Sequence, residues 1–206
     1  MIKSYKTILF DFDGVLVDTH DLHYTAMTEY FNVDMDMQQF KDMHDGNFFS
    51  REHPEVLQGA DWSNYSEYIT EIVKARVIVP SDRAETVRRL SQQYPLFVIT
   101  SGVEVGIKHL LKEADILSCF SKVMGYETST SKVEKIRMAM EETGCEPGQS
   151  VFVTDTLGDI LEGQEAGVGK IIAVTYGYHT RDHLEQGNPH KFVDSFAELL
   201  VAIDEA

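Results

Sequence analysis

The feature that most limits the fold is a series of short apolar runs that do not alternate with polar residues. A strand buried on both faces shows this continuous pattern, whereas a strand with one face in water alternates. Strands buried on both faces are typical of parallel sheets that are covered by helices. The runs, which we predict to be strands, are residues 8–10, 96–99, 122–124, 151–153 and 171–174, with a shorter one at 192–193.

Helical patterns fill most of the intervals between these strands. The predicted helices are residues 82–93, 103–113, 132–143, 159–165 and, at the end of the chain, 195–206. Gly167 ends the fourth helix, because glycine readily adopts the left-handed conformation that closes a helix. Strands and helices in regular alternation predict an α/β fold, a doubly wound parallel sheet.

One interval is too long for a simple crossover, since more than 80 residues separate the first strand from the second. Within it, residues 19–31 and 61–79 carry apolar side chains close to the 3.6-residue period of a helix. We therefore predict an inserted helical cap, residues 15–80. The α/β core then consists of residues 1–14 and 81–206.

Charge and composition limit the partners and the compartment. The 206 residues include 34 acidic and 18 basic side chains, for a formal net charge of −16. Such an acidic surface disfavours nucleic acid and anionic membrane as partners. No apolar run approaches the ~20 residues of a membrane span, and the N-terminus lacks the apolar stretch of a signal peptide. We expect a cytoplasmic protein, monomeric or weakly homodimeric, with its two cysteines free.

The strongest chemical signal is an acidic pair at the end of the first strand. Asp11 and Asp13 are two residues apart, so an extended chain places both on the same side. Ligands bind at this end of a parallel sheet, and two like charges there need a cation or a shared proton. Hard oxygen ligands suit Mg²⁺. Gly14 allows the chain to turn sharply just after the pair.

A second acidic pair follows the strand at residues 151–153. Asp155 comes at the strand end, and Asp159 lies four residues further on, where a helix starts. Asp159 alone could be a helix N-cap. Together with the first pair at the same sheet edge, these carboxylates favour a metal site.

Two further segments provide what an anionic ligand needs. Thr100, Ser101 and Gly102 follow a strand and lead into a helix, so hydroxyl and N–H groups can point at an anion, although an ordinary turn and cap is the alternative. Lys132 opens the next helix, where a cation opposes the helix dipole. A bound anion would explain that placement, and a solvated surface lysine is the alternative.

These segments, in this order, resemble the four motifs of the haloacid dehalogenase superfamily of phosphohydrolases. The motif segments are residues 10–15, 99–100, Lys132, and Asp155 with Asp159. The resemblance spans the whole chain. The helical insertion resembles the small cap of the subfamily that includes phosphoglycolate phosphatase, sugar-phosphate phosphatases and β-phosphoglucomutase. Thr154 stands where the family usually has glycine, and Val133 where proline often follows the lysine.

The resemblance implies a role for each motif residue. Asp11 is the nucleophile that forms an aspartyl-phosphate, and Asp13 protonates the leaving oxygen and then activates water. Thr100 and Lys132 neutralise charge on the transferring phosphoryl group. The implied ligands of Mg²⁺ are Asp11, Asp13 through its backbone carbonyl, Asp155 and Asp159. An acid at position 13 speaks against carbon–halogen cleavage.

The cap adds three candidate substrate contacts to the phosphate-binding set of Gly14, Ser101 and Gly102. Thr19 and His23 lie where β-phosphoglucomutase carries a Thr and a His that help to regulate its acid/base Asp. Arg51 lies in a loop that loosely resembles one whose Arg grips a second phosphate. The structural alternatives are a packed hinge histidine and a solvated arginine.

Two further groups of residues are assigned no site. Trp62, Tyr65 and Tyr68 favour the interior of the cap over a stacking platform. His179 and His183 are four residues apart, but no third ligand stands near them in the sequence, so we do not predict a metal site there.

The function expected from these observations is Mg²⁺-dependent hydrolysis of a small phosphorylated metabolite, such as a sugar phosphate or phosphoglycolate. A phosphomutase similar to β-phosphoglucomutase would use the same covalent chemistry. A non-catalytic phospho-acceptor domain is the alternative from another class, although such a domain has no helical insertion after its first strand.

Overall fold

A computed structural model describes residues 5–204 of the chain and shows one six-stranded sheet, parallel throughout. The strands are β1 (Thr7–Phe10), β2 (Leu96–Ile99), β3 (Lys122–Met124), β4 (Ser150–Thr154), β5 (Lys170–Val174) and β6 (Lys191–Val193). Their spatial order is β3-β2-β1-β4-β5-β6. The chain therefore winds outward from β1 in one direction and then from β4 in the other, which confirms the doubly wound α/β fold.

Burial follows the pattern that predicted the strands. Every residue of β1, β2, β4 and β5 is buried, because helices cover both faces of the central sheet. The edge strands β3 and β6 each begin with an exposed lysine, Lys122 and Lys191. Charged side chains on edge strands discourage pairing with another sheet.

The helices agree with the predicted positions apart from some of their ends. They are α1 (His20–Phe31), α2 (Met37–Asp42), α3 (Tyr65–Arg76), α4 (Ser81–Ser91), α5 (Glu104–Glu113), α6 (Lys132–Glu142), α7 (Leu157–Ala166), α8 (Arg181–Leu184) and α9 (Leu199–Asp204). None of the helices among the described residues is long and apolar enough to cross a membrane.

Four differences from the expected helices have local causes. The second cap helix is shorter than residues 61–79, because Val77 is already extended ahead of Pro80. The two short helices α2 and α8 were not predicted, and the Asp36 side chain caps α2 by accepting the Gln39 N–H. Asp159 is not a helix N-cap, since the Thr156 hydroxyl caps α7 by accepting the Asp159 N–H. The last helix begins with a 3₁₀ turn at Phe196–Glu198, and residues 205–206 of its predicted range lie outside the described residues.

The cap helices α1–α3 enclose a small hydrophobic cluster of their own. Its buried members include Met27, Phe40 and Leu57. One further member, Tyr178, comes from the loop between β5 and α8 of the core, so the core inserts a ring into the cap. Helix α3 also packs on α5, where Gly106 lies against Thr70.

The residues of the first turn after β1 pack in the same hydrophobic cluster as the sheet. Val15, Leu16 and Val17 are fully buried in the same cluster as Phe10. We keep the division into a core of residues 1–14 and 81–206 and a cap of residues 15–80 as a proposal. Residues 1–4 and 205–206 of that core lie outside the described range.

Close backbone contact between cap and core at Gly158 predicts a stability difference between two glycine substitutions. A Cβ at position 158 would lie 2.6 Å from the Gly46 backbone and 2.7 Å from the His44 carbonyl oxygen. Gly158→Ala should lower the unfolding free energy by about 1–3 kcal/mol, as overpacking does. Gly106→Ala is the control, because its Cβ meets only an ordinary 3.4 Å contact. That change should add up to about 1 kcal/mol by helix propensity. Equal changes in the unfolding free energy of the two variants, measured by urea unfolding, would contradict the close contact at Gly158.

Candidate active site

The predicted chemical residues meet at the carboxyl ends of adjacent strands. Asp11 follows β1, Thr100 follows β2, Asp155 follows β4, and Lys132 begins the helix after β3. All four line one cavity of about 380 Å³ between the sheet edge and the cap. The cavity lies beside the switch between β1 and β4, where doubly wound sheets bind ligands.

Lys132 holds the carboxylates of this site together. Its Nζ lies 3.0 Å from Asp11 Oδ1 and 2.7 Å from Asp159 Oδ2, and all three side chains are almost fully buried. Burial alone would lower the pKa of Lys132, but the charges of Asp11 and Asp159 outweigh it and raise that pKa. Lys132 is therefore a permanent cation in the site, which excludes the solvated-lysine alternative.

The pKa values of the two carboxyl partners of Lys132 are shifted in opposite directions. Burial raises the pKa of Asp11 well above its usual range, against the opposing charge of Lys132. Burial also acts to raise the pKa of Asp159, but Lys132 outweighs it there and lowers that pKa. Asp159 Oδ2 accepts a second hydrogen bond, from the Thr154 hydroxyl at 2.7 Å. The threonine that replaces the usual glycine thus secures Asp159.

Asp155 has one carboxylate oxygen bonded and one without a partner. Its Oδ2 accepts the Tyr178 N–H at 2.7 Å, whereas Oδ1 is buried and receives no hydrogen bond from residues 5–204. Burial raises the pKa of Asp155 to about 7. A buried oxygen without a donor is costly unless something binds it, and a divalent cation fits this hard ligand.

Asp13 is positioned from the cap hinge. The Thr19 hydroxyl donates to Asp13 Oδ1 at 2.7 Å, and Thr19 itself is buried. His23 Nε2 lies 3.8 Å from the same oxygen, and His23 Nδ1 lies 3.2 Å from the Tyr178 hydroxyl. The structure therefore brings Thr19 and His23 together with Asp13.

The segment after β2 forms the opposite side of the cavity. Thr100, Ser101 and Gly102 all line it, and the Gly102 N–H donates to Thr100 Oγ1 at 2.9 Å. Below them, the Lys135 ammonium donates to the Thr100 carbonyl oxygen at 2.6 Å and is fully buried. Burial lowers the pKa of Lys135 to about 8. Lys135 secures the position of Thr100.

Three of the candidate residues do not line the cavity. Thr19 is buried beneath it, where it bonds Asp13. Gly14 has φ +73° and lies behind Asp155, where any side chain would overlap the carboxylate. It therefore allows close approach of the chain and does not contact a ligand directly. Arg51 does not line the cavity, because its guanidinium turns to Asp45 at 3.5 Å.

Sequence analysis missed Tyr178, Lys135, Glu162 and His44. Tyr178 bonds both Asp155 and the hinge, and Glu162 accepts the Lys132 N–H at 3.0 Å. Lys135 had one available signal, since a lysine three residues after Lys132 lies on the same helix face. Tyr178 and Glu162 act through contacts distant in sequence, and no local pattern marks them.

A second polar cluster joins the cap to the core beside the cavity. Asp45 of the cap accepts from His183 at 2.5 Å and lies 3.8 Å from His179 Nε2. One ligand atom from each of Asp45, His179 and His183 lies within 4.8 Å of the other two. Asp45 is thus a third potential ligand, although it is far from the two histidines in the sequence. Both ring nitrogens of His179 are already engaged, however. Nδ1 accepts the Leu157 N–H and Nε2 donates to the Lys41 carbonyl oxygen, which leaves no lone pair for a metal.

The fold and the site define a class of protein: a doubly wound α/β core with strand-end carboxylates, a buried lysine and a helical cap over them. The profile of the haloacid dehalogenase-like hydrolase family matches residues 8–174. The chain belongs to that family, as the motif resemblance implied. The prediction of an enzyme of this superfamily is confirmed, and a non-catalytic phospho-acceptor domain is excluded.

Curated relatives carry phosphatase names. The chain is 35% identical over 114 residues to "Probable phosphatase IndB" of Dickeya dadantii, a match that covers 54% of this chain and 49% of that protein. It is 27% identical over 221 residues to "Pyrophosphatase PpaX" of Bacillus cereus, covering 97% of each. The names support the predicted phosphoric monoester hydrolase class.

Solved structures confirm the fold over the full length. A haloacid dehalogenase-like family hydrolase from Streptococcus pneumoniae superposes with a TM-score of 0.76 at 21% identity, covering 98% of this chain and 99% of the other. A predicted phosphoglycolate phosphatase from Haemophilus somnus gives 0.75 at 22% identity, with the same coverage. At these identities the likeness concerns the fold alone.

The burial of Lys132 predicts a large cost for its removal. Lys132→Met leaves Asp11 and Asp159 buried without a countercharge, so the unfolding free energy at pH 7.5 without divalent cations should fall by about 3–5 kcal/mol. The loss should become smaller as the pH falls, because burial raises the pKa of Asp11 and its protonation removes one of the two uncompensated charges. Lys74→Met is the control, since Lys74 pairs with Glu71 near the surface and contributes at most about 1 kcal/mol. Equal losses in urea unfolding would contradict the central role of Lys132.

Proposed function

We propose that this protein is a divalent-metal-dependent phosphatase that hydrolyses a small phosphate monoester through an aspartyl-phosphate. The observation that carries the proposal is the pairing of two acids with different surroundings in one cavity. Asp11 is buried beside Lys132, and Asp13 faces the cap hinge under Thr19. Such a pair suits a nucleophile and a general acid.

The first step forms a bond between Asp11 and phosphorus and breaks the bond from phosphorus to the leaving oxygen. Oδ1 of Asp11 accepts from the Phe12 N–H at 2.8 Å and from Lys132, so we assign the attack to Oδ2. Asp13 gives its proton to the leaving oxygen. Lys132 and the Thr100 hydroxyl stabilise the phosphoryl oxygens as their charge spreads.

The second step returns the enzyme to its starting state. Asp13, now a carboxylate, takes a proton from a water molecule, which attacks phosphorus and breaks its bond to Asp11. Inorganic phosphate leaves with the ionised Asp11 restored. The Thr19 hydroxyl holds Asp13 in place through both proton transfers.

The proposed cation is Mg²⁺, held by Asp11, Asp155 and the main-chain carbonyl of Asp13. When bound, it offsets the negative charge that phosphate brings to an acidic cavity. The unpartnered Oδ1 of Asp155 supports this assignment. Asp159, which bonds Lys132 and Thr154, is better placed to orient the site. The cytoplasmic location and the monomeric or weakly dimeric state remain our expectations from the sequence.

Substitution of the nucleophile should abolish turnover while the protein stays folded. Asp11→Asn removes the attacking carboxylate, so phosphate release from p-nitrophenyl phosphate with Mg²⁺ should fall at least about 10³-fold. Asp34→Asn, an exposed cap aspartate, is the control and should keep wild-type activity. Turnover by a folded Asp11→Asn protein, checked by circular dichroism, would exclude Asp11 as the nucleophile.

Metal binding can be tested independently of turnover. Mg²⁺ should raise the midpoint of thermal unfolding of the EDTA-treated protein, because a ligand that binds only the folded state stabilises it. Asp155→Asn should lose most of this shift, whereas Asp34→Asn should keep it. EDTA should also silence the wild-type enzyme and Mg²⁺ restore it. Full activity in EDTA would contradict a metal-dependent reaction.

A further inference from the structure

The cap side of the cavity is aromatic and apolar. Phe48, Trp62, Tyr65, Met27 and Ile69 line it opposite the strand ends. The Trp62 ring packs edge-on against Tyr65 at 5.4 Å and Phe48 at 6.3 Å, so this wall is a connected surface of rings. Trp62 and Tyr65 were predicted as cap interior. They are only partly buried and also face the cavity.

The mouth of the cavity is also aromatic. Phe49 of the cap and Tyr126 of the core lie 6.2 Å apart between ring centroids, with 41% and 37% of each residue exposed. Large exposed apolar side chains at a cavity entrance commonly mark a ligand site. These two rings extend the apolar surface from the cap across to the core.

The lysine and arginine charge that lines the cavity, within residues 5–204, is confined to its floor. Among residues 5–204, Lys132 is the one lysine or arginine that lines it, and Asp11 and Asp159 already engage its ammonium. None of the lysines and arginines of the cap lines the cavity, and two of them are paired elsewhere, Arg51 with Asp45 and Lys74 with Glu71.

His44, a histidine on the cap wall, does not supply a positive charge either. Burial lowers the pKa of His44 to about 3, so its ring is neutral at physiological pH. Its Nδ1 lies 3.1 Å from the Phe40 carbonyl oxygen, which fixes the ring. Besides aromatic rings, an anion on the cap side would meet the neutral His44 ring and the uncharged Ser63 and Ser66, and His23 is already placed beside Asp13.

These observations limit the part of the substrate that lies beyond the phosphoryl group. A second phosphate or a carboxylate would lose its hydration against apolar rings without gaining a cation, which is strongly unfavourable. The carboxylate of Glu162, which also lines the cavity, would add repulsion. An apolar or aromatic group would instead bury surface against Phe48, Trp62 and Tyr65.

We propose that the substrate is a phosphate monoester whose leaving group is uncharged and aromatic or largely apolar. This inference rests on the proposed phosphatase function and names its substrate class. The cavity of about 380 Å³ lies at the small end of the range for ligand pockets. Phosphoglycolate, sugar bisphosphates and pyrophosphate carry a second anionic group and are disfavoured, which also argues against the phosphomutase alternative.

Steady-state kinetics with matched esters test the preference. Benzyl phosphate and 2-phosphoglycolate both release a primary alcohol at the reacting phosphate, as glucose 1,6-bisphosphate does at its C6 phosphate, so their difference reports mainly on the leaving-group site. The kcat/KM for benzyl phosphate should exceed the other two by at least about tenfold. Equal or higher values for 2-phosphoglycolate, the bisphosphate or pyrophosphate would overturn the inference while leaving the phosphatase function intact.

Variants of the wall should change the ratio between substrates, which a loss of folded protein does not change. Trp62→Ala should lower the ratio of kcat/KM for benzyl phosphate to that for 2-phosphoglycolate several-fold. Tyr68→Ala is the matched control, because Tyr68 packs on Tyr30 and Tyr65 but does not line the cavity. Ser66→Arg places a cation on the wall and should shift the ratio towards 2-phosphoglycolate. Unchanged ratios in both Trp62→Ala and Ser66→Arg would overturn the inference.

A binding measurement separates this inference from the proposed function. Benzylphosphonate and phosphonoacetate are not hydrolysed, and their affinities for the Mg²⁺-loaded protein can be compared by calorimetry. We expect benzylphosphonate to bind at least about tenfold more tightly. Failure to hydrolyse any ester would contradict the phosphatase function, whereas equal or weaker binding of benzylphosphonate would contradict the substrate class.

Discussion

The contact of the Lys132 ammonium with Asp11 and Asp159 is the interaction on which the rest of the site depends. Three carboxylates are buried at the ends of β1 and β4 or just beyond, and like charges cannot share a dry site without a cation. Helix α6 supplies that cation from its first residue, although the helix dipole opposes it there. The Glu162 carboxylate accepts the Lys132 N–H at the same helix end, which offsets that cost. The position of α6 against α7 is thereby tied to the charge balance of the site.

Tyr178 connects this charged floor to the cap. Its N–H bonds Asp155, its hydroxyl contacts His23 and Thr19, and its ring belongs to the hydrophobic cluster of the cap. Thr19 in turn bonds Asp13. A movement of the cap relative to the core would disturb these contacts together. The position of the cap and the environment of Asp13 are thus coupled through one buried tyrosine, which sequence patterns did not indicate.

The parts of the structure that could be predicted from the sequence are those that depend on local patterns, and the parts that could not depend on contacts between distant residues. The strands and most helices were predictable because burial on both faces and the 3.6-residue period are local patterns. The floor of the site was predictable because polar residues at the ends of neighbouring parallel strands must meet at one edge. Helix ends depended on particular contacts, such as the Thr156 cap that displaced Asp159 from that role. Arg51 was placed by similarity of a loop, and its pairing with Asp45 is a contact that loop similarity does not determine.

The aromatic wall shows why substrate preference was the hardest part to predict. Helical spacing places Trp62 and Tyr65 towards the interior of the cap, and the structure agrees that both pack there. Periodicity does not distinguish a ring that is covered on both faces from a ring that packs on one face and borders a cavity on the other. That distinction depends on how the cap rests on the core, through Gly158 at the Gly46 backbone and Asp45 at His183. The same residues in a cap docked differently would not face the strand-end carboxylates, so the proposed substrate class depends on the docking of the cap as well as on its composition.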